Sequence, residues 1–312
     1  MTRKYKRLGV LAKIETTYGT DSVPTGAANA ILLSNVKFTP LAGDKVSRDI
    51  ITPYFGDQGF VLAAVHTMVT FDVEMQGSGT AGTAPGYGVL LRACSMAETI
   101  VAATSVAYNP VSSGEESASL YMNLDGVNHV MLGVRGTVKM AMAVKTIPKF
   151  SFTMTGLLGP IADTALPALT LSGFKKPLVV SKVNTPTCTF FGVSAGTAGV
   201  EDFQVDLGNK IEMRALIGKE SVERTDRNMS GNISMEGVSI ATKDWTSLAR
   251  AGTTGVLQLI HGTAAGFIVQ LDAPAVQVDA PTYDNSQGIL MNGLPFVLTP
   301  SAGDDEFVLT VK

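Results

Sequence analysis

Thr70-Phe-Asp-Val-Glu-Met-Gln-Gly77 alternates apolar and polar side chains and stops at a glycine. A period of two is the mark of a strand with one buried face and one wet face. The same ending returns in the back half as Gly231-Asn-Ile-Ser-Met-Glu-Gly237. Working outward from this pair, further echoes keep the same order. Upstream, Leu41-Ala-Gly-Asp-Lys-Val-Ser-Arg48 is answered by Leu207-Gly-Asn-Lys-Ile-Glu-Met-Arg214. Downstream, Leu90-Leu-Arg-Ala93 is answered by Leu248-Ala-Arg-Ala251, and Ala118-Ser-Leu-Tyr-Met-Asn-Leu-Asp125 by Gly266-Phe-Ile-Val-Gln-Leu-Asp272. Last, Ile147-Pro-Lys-Phe150 is answered by Leu294-Pro-Phe296. Single matches of this kind are cheap. An ordered series describes one β module written twice, with halves 1–165 and 166–312, and such a chain reads as an assembly component before an enzyme.

The rest of the chain is also read as β. Val138–Val144, Lys149–Met154, Gly266–Leu271, Val276–Val278 and Phe307–Val311 are apolar or alternating runs. Asp125-Gly126, Arg135-Gly136, Asn292-Gly293 and the Ala-Pro steps at 273–274 and 280–281 carry turn chemistry between them. Two short helices are expected: Tyr87–Met96, introduced by Pro85, and Lys243–Arg250, stopped by Gly252. Residues 162–173 read as a connector. The segments 43–68 and 208–230 read as extended hairpins or flexible loops that hold much of the charge of their modules.

Composition narrows the function. The 312 residues are 45% hydrophobic and only 16% charged, so much of the surface is Ser, Thr, Gly and Asn. That suits faces buried against copies of the same chain, although a low-charge soluble domain has the same composition. A net charge of −3 with no basic stripe argues against tight gripping of nucleic-acid phosphates. Cys94 and Cys188 are two isolated thiols in apolar or Thr-rich stretches, which points to buried small residues in a reducing compartment. The apolar run after Arg3-Lys-Tyr-Lys-Arg7 ends at Lys13, too short for a signal peptide, and no run is long enough for a membrane span.

Catalytic patterns are missing. The glycine-rich run Gly77–Pro85 lacks the Lys-Ser/Thr of a phosphate loop, and a flexible loop before a helix explains it. His66, His129 and His261 lie far apart with no acid or thiol at ligand spacing. Glu115-Glu116 and Asp304-Asp305-Glu306 sit in Ser/Gly-rich turns that would solvate them. No cofactor is expected.

One resemblance rests on residues already quoted. Leu11-Ala-Lys-Ile-Glu-Thr-Thr-Tyr-Gly-Thr-Asp-Ser-Val-Pro24 precedes Leu41–Arg48, followed by Gly77–Gly88 and Leu90-Leu-Arg-Ala-Cys94. This order resembles the major tail (tail tube) proteins of long, flexible-tailed bacteriophages. The resemblance covers the first hundred residues well and the remainder through the repeat and the β character. It implies a mainly β fold: two tandem β-sandwich modules, each with one short helix, whose strands join those of neighbours into a ring-spanning barrel. It also implies stacked rings in a virion tail, assembled in the host cytoplasm, around a lumen through which DNA passes transiently.

The partners that follow are the chain itself, a tape measure protein, and the terminator and distal proteins at the tube ends, with no membrane. If single-module relatives form six-subunit rings, two modules per chain reach the same ring with three chains, so a trimer is favoured over a hexamer. The candidate ring and inter-ring contacts are Asp44, Lys45, Arg48, Asp49 and Arg92 in the first half, and Asn209, Lys210, Glu212, Arg214 and Arg250 in the second. Alternatives remain open: a decorating second half, a head decoration or tail accessory protein, and a carbohydrate-binding sandwich, the last poorly served by 7% aromatics and one Trp.

Overall fold

Alternating runs become strands wherever they can pair, and here nearly all of them pair. A computed structural model describes residues 2–312. Its first half carries β1 (Leu8–Ile14), β2 (Ala30–Ile31), β3 (Ser34–Ser47), β4 (Phe60–Glu74), α1 (Gly88–Ala93), β5 (Met96–Val101), β6 (Ser105–Pro110), β7 (Ala118–Leu124), β8 (Val127–Ala143) and β9 (Lys149–Asp163). The second carries β10 (Thr187–Phe190), β11 (Val193–Ser194), β12 (Val200–Asp206), β13 (Asn209–Leu216), β14 (Lys219–Arg227), β15 (Ser230–Glu236) and α2 (Trp245–Ala251). It ends with β16 (Thr254–His261), β17 (Val269–Val278), β18 (Thr282–Ser286), β19 (Ile289–Leu298) and β20 (Val308–Val311).

The pairing order is the same in both halves. Antiparallel neighbours run β1-β7-β8-β9-β4-β3 in the first. They run β10-β16-β17-β19-β15-β12 in the second, with β18 prolonging β17 along β19. The β5–β6 hairpin occurs only in the first half, and β20 links it to β17. The main seam is β12 laid antiparallel on the end of β8. The protein is thus mainly β, and its 18-stranded sheet does not close into a barrel within one chain. Among the described residues the longest strand with a single partner is β3, which pairs only with β4; β18 likewise pairs only with β19, and the short β2, β5 and β11 only with β1, β6 and β10.

Strand register corrects three of the sequence echoes. With Met75 set against Met235, ladder partners equate Phe150 with Leu294 and Phe152 with Phe296, so the Pro-Phe echo is two residues out of step. The stretch Ala118–Leu124 is β7, whose place in the order is taken by β16, whereas Gly266–Asp272 enters β17. Likewise, counted back along the chain from Met75 and Met235, Ala63 matches Glu223, so their ladder partners Asp44 and Glu212 correspond, and Asp44 does not match Asn209. Alternation marks a strand but not which strand it is, because every half-buried strand has the same period.

Turn chemistry held at some places and failed at others. Asp125 and Gly126 take positive φ values of 46° and 99° and join β7 to β8 as a tight primed turn. Arg135-Gly136 and Asn292-Gly293 lie inside β8 and β19 instead. There the glycines serve close approach: a Cβ on Gly136 would strike Met154 and Thr153, and one on Gly293 the Thr282 hydroxyl. Pro274 sits where the β16 ladder shifts register, between the end of β20 pairing and the start of β19 pairing, so its missing N–H costs nothing. Both helices are shorter than expected. Asp244 caps α2 by accepting from Ser247 N–H at 2.9 Å, and Gly252 ends it in the left-handed conformation at φ 62°.

One apolar core runs through both halves. Phe71 stacks on Phe152 at 5.6 Å in the first, and Phe190 gathers Trp245 and Phe296 at 5.6 and 5.4 Å in the second. The glycine-rich run is pinned rather than loose. Gly79 N–H donates to Gly266 O at 2.8 Å, and a Cβ on Gly77 would collide with Gly266 and Phe267. Cys94 and Cys188 are buried free thiols, and burial raises both pKa values, that of Cys188 to about 12.

Candidate assembly interface

Where β12 leaves the sheet, the chain runs on as the β13–β14 hairpin, a separate two-stranded arm that returns as β15. This arm does not project freely. It folds back over β8 of the first half and is fixed there by buried polar contacts. Arg135, in the middle of β8, donates from Nη1 to Val222 O at 2.8 Å and to Glu223 Oε2 at 2.5 Å, and its guanidinium lies 4.9 Å from the Tyr18 ring centroid. Val222 N–H in turn donates to the Tyr18 hydroxyl at 2.6 Å. Arg224 donates to Val111 O at 2.9 Å and pairs with Glu115. Arg227 donates to Asp304 at 3.0 Å and Glu306 at 2.7 Å.

The electrostatics follow from this burial. The side chains of Arg224 and Arg227 are each only 7% exposed, and both have carboxylate partners, as buried guanidinium groups require. Burial pushes the Glu223 carboxyl up, but the Ser221 hydroxyl and Arg135 outweigh it and hold it below the usual range. Asp304 is held low first by the Ser112 hydroxyl and then by Arg227. The seam is therefore built for ionised acids.

The first-half arm, by contrast, is paired with β9 only at its base and is exposed toward its tip. The β3–β4 ladder continues to Ser47 opposite Phe60, so residues 43–68 form an extended hairpin with a loop at 48–59. Ile51 and Phe55 at its tip are fully exposed, as is Ile217 at the β13–β14 turn. Exposed apolar tips of this kind mark surfaces meant to be covered.

The candidate contacts divide accordingly. Asp44, Lys45, Arg48 and Asp49 are all exposed on the open arm, where Lys45 lies over the Phe60 ring at 4.7 Å. Lys210, Glu212 and Arg214 are exposed on the β13–β14 arm, with Lys210 and Glu212 3.5 Å apart. Asn209 is different. It is buried, and its amide donates to Cys94 O at 2.8 Å and Gly136 O at 3.0 Å, so it is spent inside the chain. The matched arginines also differ. Arg92 holds Glu116 through two bonds of 2.7 and 2.5 Å, whereas Arg250 is exposed and forms no ion pair among the described residues.

Sequence reasoning missed the residues that carry the seam. Glu115 and Glu306 looked like solvated turn acids but are ion-pair partners of Arg224 and Arg227. Glu15 is buried and accepts from Gly19 N–H, Ser117 Oγ, Ser119 Oγ and Gly133 N–H, four bonds of 2.7–2.9 Å that anchor the loop bearing Tyr18. The one available signal was Arg135, a lone charge inside an apolar run. No group of three potential ligands, His66, His129 and His261 included, lies at metal distance among the described residues. No helix among them is long and apolar enough to cross a membrane.

The described residues present singly paired edge strands, β3 and β18 among them, and two arms. No curated protein matches the chain. A family model described as phage tail tube protein matches residues 6–296, nearly the whole length. The chain therefore belongs to the phage tail tube protein family and is a structural component of a phage tail.

Proposed function

We propose that this protein self-assembles into stacked rings that form the tail tube, a conduit for genome delivery. The observation that supports it most is the repeated strand order together with the seam. One half already docks on the other through an edge strand and a clamped arm, leaving β3 with its arm, and β18, without a partner of that kind. A chain made this way can add copies of itself indefinitely around an axis. In our reading the two halves, 1–165 and 166–312, are tube modules, and three chains give a ring of six modules. The first-half arm, with Asp44, Lys45, Arg48 and Asp49, reaches the neighbouring chain or ring; Lys210, Glu212 and Arg214 lie on the companion arm. A net charge of −3 and the absence of a basic groove suit a lumen that lets DNA pass. Tape measure, terminator and distal tail proteins are the partners such a tube needs, and assembly takes place in the host cytoplasm.

Electron microscopy of the concentrated full-length protein tests this reading. Hollow stacked rings are the expected product. Closed oligomers that never stack would instead favour a head decoration or tail accessory role.

A further inference from the structure

We propose that the edge of β3 is the docking strand for β18 of a second copy, antiparallel, with Ser34 opposite Thr282 and Lys37 opposite Asp279. This rests on the tube reading and names the surface through which one chain meets the next. The template is the seam inside the chain, where Gln204 of β12 faces Ala141 of β8 and Asp206 faces Lys139.

Ladder partners carry that template to the open edges. Gln204 faces Asn232 and Asp206 faces Ser230, while Ser34 faces Asp72 and Lys37 faces Thr70. With Met75 set against Met235, Ser34 takes the place of Gln204 and Lys37 that of Asp206. On the other strand, Ala141 faces Lys149 and Lys139 faces Ser151, while Thr282 faces Gly293 and Asp279 N–H donates to Pro295 O at 2.8 Å. With Phe152 set against Phe296, Thr282 takes the place of Ala141 and Asp279 that of Lys139.

Two features of the edges fit each other without having been used to align them. First, the charges are exchanged. The seam sets an acid on β12 against a base on β8, and the open edges set a base on β3 against Asp279, an acid just ahead of β18. An opposite-charge pair survives on exposed positions. Second, the irregularities match. Between Ser34 and Lys37 there is one more residue than between Gln204 and Asp206, at a register shift that includes Asn35 with φ 54°. Between Asp279 and Thr282 there is likewise one more than between Lys139 and Ala141. Each bulge alone would break the register; together they restore it. Two unlike edges make a head-to-tail contact, which produces rings or helices instead of a closed pair.

The test uses cysteines on separate chains. Ser34→Cys chains and Thr282→Cys chains are mixed before assembly and oxidised, the native thiols being buried. Disulfide-linked pairs in the mixture and in neither chain alone are expected. Linked pairs from Ser34→Cys alone would mean symmetric β3–β3 contact and overturn the proposal. Charge variants give an independent reading. Lys37→Glu and Asp279→Lys should each weaken association about fivefold per contact, and both in one chain should restore it. Wild-type tubes with no cross-link in the mixture and no charge effect would leave the tube reading standing and remove this pairing. A wild-type protein that never forms stacked rings would remove both.

Discussion

Replacing Arg135 by Met removes the clamp at the centre of the β13–β14 arm while keeping a long side chain in its place. The guanidinium contributes a charge-assisted bond to Glu223 at 2.5 Å, a bond to Val222 O at 2.8 Å and a face-on contact with Tyr18. Bonds to charged groups contribute about 1.5–3 kcal/mol and an aromatic contact about 1. These do not simply add. Glu223 is 29% exposed and keeps partial hydration after the change, and Met recovers some apolar contact. A net loss of about 2–3 kcal/mol is expected. Urea denaturation measures it, and amide exchange across 209–227 locates it. Val222 N–H, bonded to Tyr18, should lose protection first. Glu223→Gln should cost less, and the double variant should show a coupling of about 1 kcal/mol. A loss below about 0.5 kcal/mol with unchanged protection of the arm would refute the view that this ion pair holds the seam.

Three other outcomes follow from the same structure. Gly77→Ala drives a methyl group into the Gly266 backbone and should cost about 1–3 kcal/mol in thermal or chemical denaturation, whereas Gly173→Ala, with open space around it, should be neutral. Phe190→Ala empties the centre of the Trp245–Phe296 cluster and should cost about 3–5 kcal/mol, read as a lower denaturation midpoint. Acid should loosen the seam. Glu223 and Asp304 are held below their ordinary values, so their contribution is complete above those values and is lost as pH falls through the lower, folded-state ones. A stability profile that declines below about pH 4 and flattens when both are amides checks the sign.

The mainly β character could be read from the sequence because alternation is a local property and these strands are half-buried. The two helix positions could be read because Pro85 and Gly252 are local start and stop chemistry. What escaped was non-local. The arginines of the arm and the acids that receive them are separated by most of a module in sequence, so neither looked special. Arg135-Gly136 looked like a turn because its glycine is shaped by Met154 on the adjacent strand. The correct match of β7 with β16, rather than β17, depends on which strand pairs with which, and a period of two holds no information about that. Of the candidate contacts, the charged residues on the arms were readable as exposed, while the burial of Asn209 was not, because its partners are backbone carbonyls from other elements.

In the tube proposed here the repeat is the unit of the ring. A cryo-electron microscopy reconstruction of assembled tubes, with the number of chains per ring counted from the density, tests it most directly. Three chains should be found in each ring, their six modules related by near-sixfold symmetry. Six full chains per ring would contradict the claim, because each chain would then contribute only one of its halves to the tube wall.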